Sequence, residues 1–86
     1  MKKIYKYPVP ITDEFTLKLP EGAKILTFQA QDSKPYIWAL VDPIGQMETV
    51  SFKLFGTGHL VGNADTLEHV GTIQIEPFVW HLFEVV

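Results

Sequence analysis

Glycines at positions 56, 58 and 62 crowd around a threonine and a histidine in the segment FKLFGTGHLVGN, residues 52–63. Glycine-flanked backbone N–H groups can form a nest for a phosphate, with Lys53 as the nearest cation. His59 can serve as a general acid or base, given a partner within hydrogen-bond reach. Thr57, between Gly56 and Gly58, can present its N–H and hydroxyl with no neighbouring Cβ in the way. Against these stands a plain turn between two strands, its glycines taking positive φ. The Walker pattern, with its Gly-Lys-Ser/Thr ending, is absent. The dinucleotide fingerprint opens a helix, and no helical period follows Gly62. The expectation is that Gly56, Thr57, Gly58 and His59 form a loop facing a ligand or partner, and no residue is assigned a catalytic role.

The other histidines add little to that chemistry. His59, His69 and His81 are separated by ten and twelve residues, which matches no local zinc pattern. Cysteine is absent, which removes thiol nucleophiles, Cys-based zinc sites and disulfides together. Asp42 and Asp65 are available to orient a histidine, but nothing in their spacing selects them. His81 alternates with Val79 and Phe83 and reads as a structural residue. No metal and no cofactor are expected.

The aromatic residues say more. Tyr5, Tyr7, Tyr36, Trp38, Phe78, Trp80 and Phe83 fall into three short segments. WALV (38–41) and FVWHLF (78–83) carry large side chains on both faces. One face fills a core; the other meets solvent, a second subunit or a ligand. Tyr and Trp are the usual anchors of interfaces, and their rings can also stack on a nucleobase. Tyr5, Tyr7, Trp38, Trp80 and Lys53 therefore join the loop as candidate binding residues.

Strands must position these groups. Short apolar runs separated by turn residues every eight to twelve positions read as all-β. Strands are expected at 3–9, 14–19, 24–31, 36–41, 47–55, 68–75 and 78–85. Turns fall at PEGA (20–23), DSKP (32–35), DPIG (42–45) and around Glu76-Pro77. Phe15, Leu17 and Leu19 share one face, as do Val50, Phe52 and Leu54, and alternation in the third strand puts Leu26, Phe28 and Ala30 together. YIWALV (36–41), apolar on both faces, suits a central strand. NADTLE (63–68) has room for one helical turn capped by Asp65. The architecture expected is a small antiparallel sandwich or partly open barrel of about seven short strands, with an early strand and the last strand as edges.

Composition bounds the rest. Eighty-six residues make one domain, 1–86. At 47% hydrophobic and 13% aromatic, the chain carries more apolar side chain than so small a body can bury, which points to a homo-oligomer. The net charge is −3 and there is no arginine, which argues against nucleic acid as a partner. A small anionic ligand stays compatible, held by backbone N–H groups and a lysine. No run approaches the roughly 18–20 apolar residues of a membrane helix, and the lysines near the start precede no signal-like apolar stretch. A soluble protein of the cytoplasm is expected.

IYKYP (4–8), LPEGAKIL (19–26), WALVDP (38–43), FGTGH (55–59), GTIQ (71–74) and FVWHLFE (78–84) together resemble a family of small uncharacterised bacteriophage and prophage proteins of nearly this length. The resemblance implies a setting, the cytoplasm of an infected cell, and carries over no functional residues. Accessory proteins of that kind often block a host defence, by gripping a defence protein or by sequestering its nucleotide signal. The reading is a non-enzymatic binding protein acting in that way. The alternatives are a small hydrolase or lyase using His59 on a phosphorylated small molecule, and a structural component of the virion.

Overall fold

The computed structural model describes residues 1–86. Seven strands carry the fold: β1 (Lys3–Pro8), β2 (Glu14–Pro20), β3 (Lys24–Gln31), β4 (Lys34–Val41), β5 (Met47–Gly56), β6 (Leu67–Ile75) and β7 (Phe78–Val85). They form two antiparallel sheets, a first of order β1-β4-β3 and a second of order β2-β5-β7-β6. The sheets do not close into a barrel, so the sandwich form of the expectation holds.

Alternation builds the core between the sheets. Ile37, Ala39 and Val41 of β4 point inward and are fully buried, leaving Tyr36, Trp38 and Leu40 on the outer face. Phe52 and Leu54 of β5 face Leu82 of β7 and Ile73 of β6 within the same inner layer. Val9, just after β1, is buried with them, its N–H donating to the Pro35 carbonyl. Phe15 stacks on Phe52 across β2 and β5, ring centroids 5.1 Å apart. No helix of the chain is long and apolar enough to cross a membrane.

Three local expectations are corrected. In β3 the register shifts between Ile25 and Thr27, so Leu26 is an extra residue that opposes no partner on β4. A bulge resets the inward parity, and Leu26 is exposed. Phe28 and Ala30 still share the inward face, opposite Ile37 and Pro35, with Phe28 buried and Ala30 exposed near the strand end. The last strand is not an edge: β7 lies between β5 and β6, and the edges are β1 and β3, β2 and β6. A hairpin places β7 beside β6, and the Leu82 face of β7 needs a neighbour on both sides to be buried. Finally, the single turn at Ala64–Thr66 is a 3-10 turn whose cap position is Asn63, in the left-handed region at φ 52°, and Asp65 lies inside it.

Turn chemistry agrees with the strand positions. Asp32 and Ser33 both have positive φ, 53° and 61°, and alone join β3 to β4. That is the signature of a two-residue type I′ hairpin loop, which leaves Lys34 and Pro35 as strand residues. At Asp42–Gly45 the Gly45 N–H donates to the Asp42 carbonyl and the Ile44 N–H to Asp42 Oδ1.

A second bulge lies in β6, between His69 and Gly71. β3 and β6 thus each carry one, and they are the two edge strands that meet across the sheets. Gly71 sits against Phe28 there: a Cβ on Gly71 would lie 3.1 Å from the Phe28 Cβ. The bulges bend the edges toward each other, and the glycine lets the backbones approach.

Candidate functional site

β5 ends at Gly56, and the chain reverses over Thr57 and Gly58. The His59 N–H donates to the Gly56 carbonyl at 3.1 Å, closing a β-turn, and Gly58 takes φ 91°. The imidazole of His59 folds back over the turn, where the Gly56 N–H donates to its Nδ1 at 3.1 Å. A nitrogen that accepts from an amide carries a lone pair, so the neutral ring bears its hydrogen on Nε2. The Thr57 N–H reaches the Val79 carbonyl at 3.4 Å, extending the β5–β7 ladder by one rung.

His59 borders three hollows at this end of the second sheet. One, of about 380 Å³, is bounded by Gly56, Thr57 and His59 on one side and by Pro77, Phe78, Val79 and Trp80 on the other. Phe78 and Trp80 lie 5.6 Å apart with rings tilted by 36°, and Phe78 is 56% exposed. Trp80 is half-buried and packs on the core, which fixes that wall. A second, of about 440 Å³, includes Lys53 but also Asp13 and Glu14. Those carboxylates offset the lysine and make this hollow a poorer seat for an anion. The smallest, of about 170 Å³, lies between Ile11, Leu54 and Trp80.

The candidate residues divide accordingly. Gly56, Thr57, His59 and Trp80 come together around the first hollow, with Gly58 at the tip of the turn. Lys53 stands on the neighbouring one. Trp38, Tyr5 and Tyr7 belong to the other sheet. Trp38 is on its outer face beside Tyr36, with centroids 5.9 Å apart. Tyr7 packs against the core, where burial, and then the neighbouring Tyr5, push its hydroxyl pKa up. Lys6 Nζ sits 4.6 Å above the Tyr36 ring and donates to Oε1 of Gln31 on the edge strand β3 at 2.9 Å.

The structure also joins residues that sequence spacing left apart. On the outer face of the second sheet, Thr57 Oγ1 lies 2.8 Å from His81 Nε2. His81 Nδ1 lies 2.9 Å from Thr72 Oγ1, and Thr72 Oγ1 lies 3.0 Å from His69 Nε2. Four side chains from the turn, β7 and β6 thus form one hydrogen-bonded chain. Phe83 flanks it, edge-on to Phe55 and 5.2 Å from the His69 ring. The signal available in the sequence was the alternation of His81 with Phe83 and of Thr72 with Gln74. Only the β6–β7 register, which pairs Thr72 with His81, turns that alternation into contact.

A family model described as "Domain of unknown function (DUF7352)" matches residues 1–86, and the chain belongs to that family. No curated protein and no solved structure gives a match. The family match carries neither an origin nor an activity.

Proposed function

We propose that this member of the family is a binding protein that holds a small planar anionic ligand of nucleotide type at the end of its second sheet. The observation that carries the reading is the 380 Å³ hollow with Phe78 and Trp80 on one wall and the Gly56–His59 turn on the other. That volume falls within the range of small-ligand sites. Exposed aromatic walls suit a nucleobase, for about 1–3 kcal/mol of stacking per base. The opposite rim offers the His59 Nε2–H, and the Gly58 N–H, at the tip of the same turn, has no partner within the chain. Such donors can hold a phosphate without arginine. The resemblance to phage proteins supports a setting in the host cytoplasm, with sequestration of a defence signal as the biological role. Gripping a defence protein through the same end is the second mode that this setting supports. Surplus apolar surface supports a homo-oligomer.

Calorimetry against cyclic oligonucleotides and ADP-ribose-type signals tests the ligand, with Trp80 emission followed in a Trp38→Phe background. Binding is expected to quench Trp80 and to release the ligand intact on denaturation. Phe78→Ala is expected to weaken binding about tenfold or more, the equivalent of the stacking it removes. Absence of heat and of quenching across the panel overturns the ligand class.

A further inference from the structure

We propose that Thr57 is an activated hydroxyl, with His81 as its general base and Thr72 and His69 as positioning residues, and that it accepts an acyl group from small activated esters. This goes beyond the binding reading and rests on different atoms, on the outer face of the second sheet. A nucleophile within hydrogen-bond reach of a base, itself oriented by a third group, is the arrangement that activates serine and threonine hydroxyls. Here the distances are 2.8 Å from Thr57 Oγ1 to His81 Nε2 and 2.9 Å from His81 Nδ1 to Thr72 Oγ1. Two opposite orders of hydrogens satisfy every contact, and activation of Thr57 uses the one in which His81 Nε2 accepts. Thr57 O–H donates to His81 Nε2, His81 Nδ1–H donates to Thr72 Oγ1, and Thr72 O–H donates to His69 Nε2. That order leaves the lone pair of His81 facing the hydroxyl it must deprotonate. A neutral threonine replaces the usual carboxylate, so the ring is oriented without a full negative charge behind it.

Access and charge stabilisation are also present. Thr57 is exposed, and its hydroxyl stands with His81 on the outer face of the sheet, away from the Phe78 and Trp80 rings, so a small ester reaches it from solvent. The Gly58 N–H, on the residue after the nucleophile, is unpaired within the chain and is assigned here as the donor to a developing oxyanion. In the first step Thr57 Oγ1 bonds to the ester carbonyl carbon, and its proton passes to His81 Nε2. The carbon–oxygen bond to the leaving group breaks, and that oxygen takes the proton from His81. In the second step water loses a proton to His81 Nε2 and attacks the acyl-threonine. The acyl–Oγ1 bond breaks, a carboxylic acid leaves, and Thr57 recovers its hydrogen.

The probe is 4-nitrophenyl acetate, read by nitrophenolate release and by peptide mass mapping. Acetylation at Thr57 is expected in the native protein and absent in Thr57→Val. His81→Gln is expected to slow release about a hundredfold, the lower range for loss of a general base. Thr72→Val is expected to slow it less, and Thr72→Ser to restore it, a rescue that a merely structural role would not require. Circular dichroism establishes that each variant is folded. Acetyl groups on lysines alone, with Thr57 unmodified and release as fast in Thr57→Val, overturn the proposal. Ligand binding by calorimetry is unaffected by that result, so the two readings fail separately.

Discussion

Gly56 owes its identity to the ring of His59. A Cβ at that position would lie 2.9 Å from His59 Cε1, closer than real side chains approach. Because the obstacle is the end of an exposed side chain, alanine can be accommodated by swinging the ring away. Gly56→Ala is expected to fold with a stability change within about 1 kcal/mol, one exposed hydrogen bond lost. It is also expected to release His59 from its single tautomer, which nitrogen NMR of the ring reads directly; an unchanged His59 spectrum would refute the contact. Gly58 behaves oppositely. Nothing crowds it, but φ 91° is strained for any other residue, and Gly58→Ala is expected to lower stability by about 1–3 kcal/mol in urea denaturation. Gly62, in open space and at ordinary φ, should tolerate alanine. The sequence showed three similar glycines around a threonine and a histidine, and so located the loop. It could not rank them, because their roles depend on where one ring and one backbone angle fall. Nor could it reveal that Thr57 faces His81, a contact spanning 24 residues.

Strands were legible wherever period-two alternation was unbroken, and the seven segments fall within a residue or two of the observed ones. What alternation cannot show is a bulge, and both bulges were missed. The one in β3 turned Leu26 outward, and the one in β6 brought Gly71 to Phe28. That contact yields an element-scale expectation. Gly71→Val would force β6 away from β3 at the corner where the sheets meet, and overpacking of this kind costs roughly 1–3 kcal/mol. Denaturation midpoints check it, and a neutral result would mean the corner is loosely packed. A second expectation concerns β6 and β7, which place Glu68 directly opposite Glu84. Burial, then the charges of Glu68 and Glu48, hold the Glu84 pKa above the ordinary carboxylate range. A carboxyl whose pKa is raised on folding binds more protons in the folded state, so its contribution to stability falls as pH rises through the interval between its unfolded and folded values. Thermal melts are therefore expected to show Glu84→Gln more stable than the native protein at pH 7, by roughly 0.2–1 kcal/mol for one like-charge pair. The difference should shrink as the pH falls toward the ordinary carboxylate range, and a difference that grew on acidification would contradict the sign.

At the scale of the whole molecule the two sheets make a slab, 40 by 31 by 16 Å. A monomer of 9.8 kDa is expected to expose about 5,200 Å², whereas this chain exposes 5755 Å². Its radius of gyration is 13.0 Å, against about 12 Å for a globule of this length. The excess surface includes large apolar side chains, and one coherent set lies on the outer face of the first sheet. Trp38, Tyr36 and Leu40 stand there on the central strand, and Ile4, 59% exposed, is Leu40's cross-strand partner on β1. If the chain assembles, this face is the expected contact for a second copy. A standard interface removes about 800 Å² from each partner, an area a three-stranded face of this kind can supply. The expected outcome is a dimer or larger assembly by light scattering at micromolar concentration. Trp38→Ala should shift it toward single chains, by the 2 kcal/mol or more typical of a buried aromatic anchor. Trp80→Ala should leave assembly intact and change only the hollow, because Trp80 packs on the core of the other sheet. A clean mass of 9.8 kDa for the native protein would place Trp38 on a solvent face. Dissociation by Trp80→Ala but not by Trp38→Ala would move the interface to the end of the second sheet, where it would compete with any ligand for the same wall.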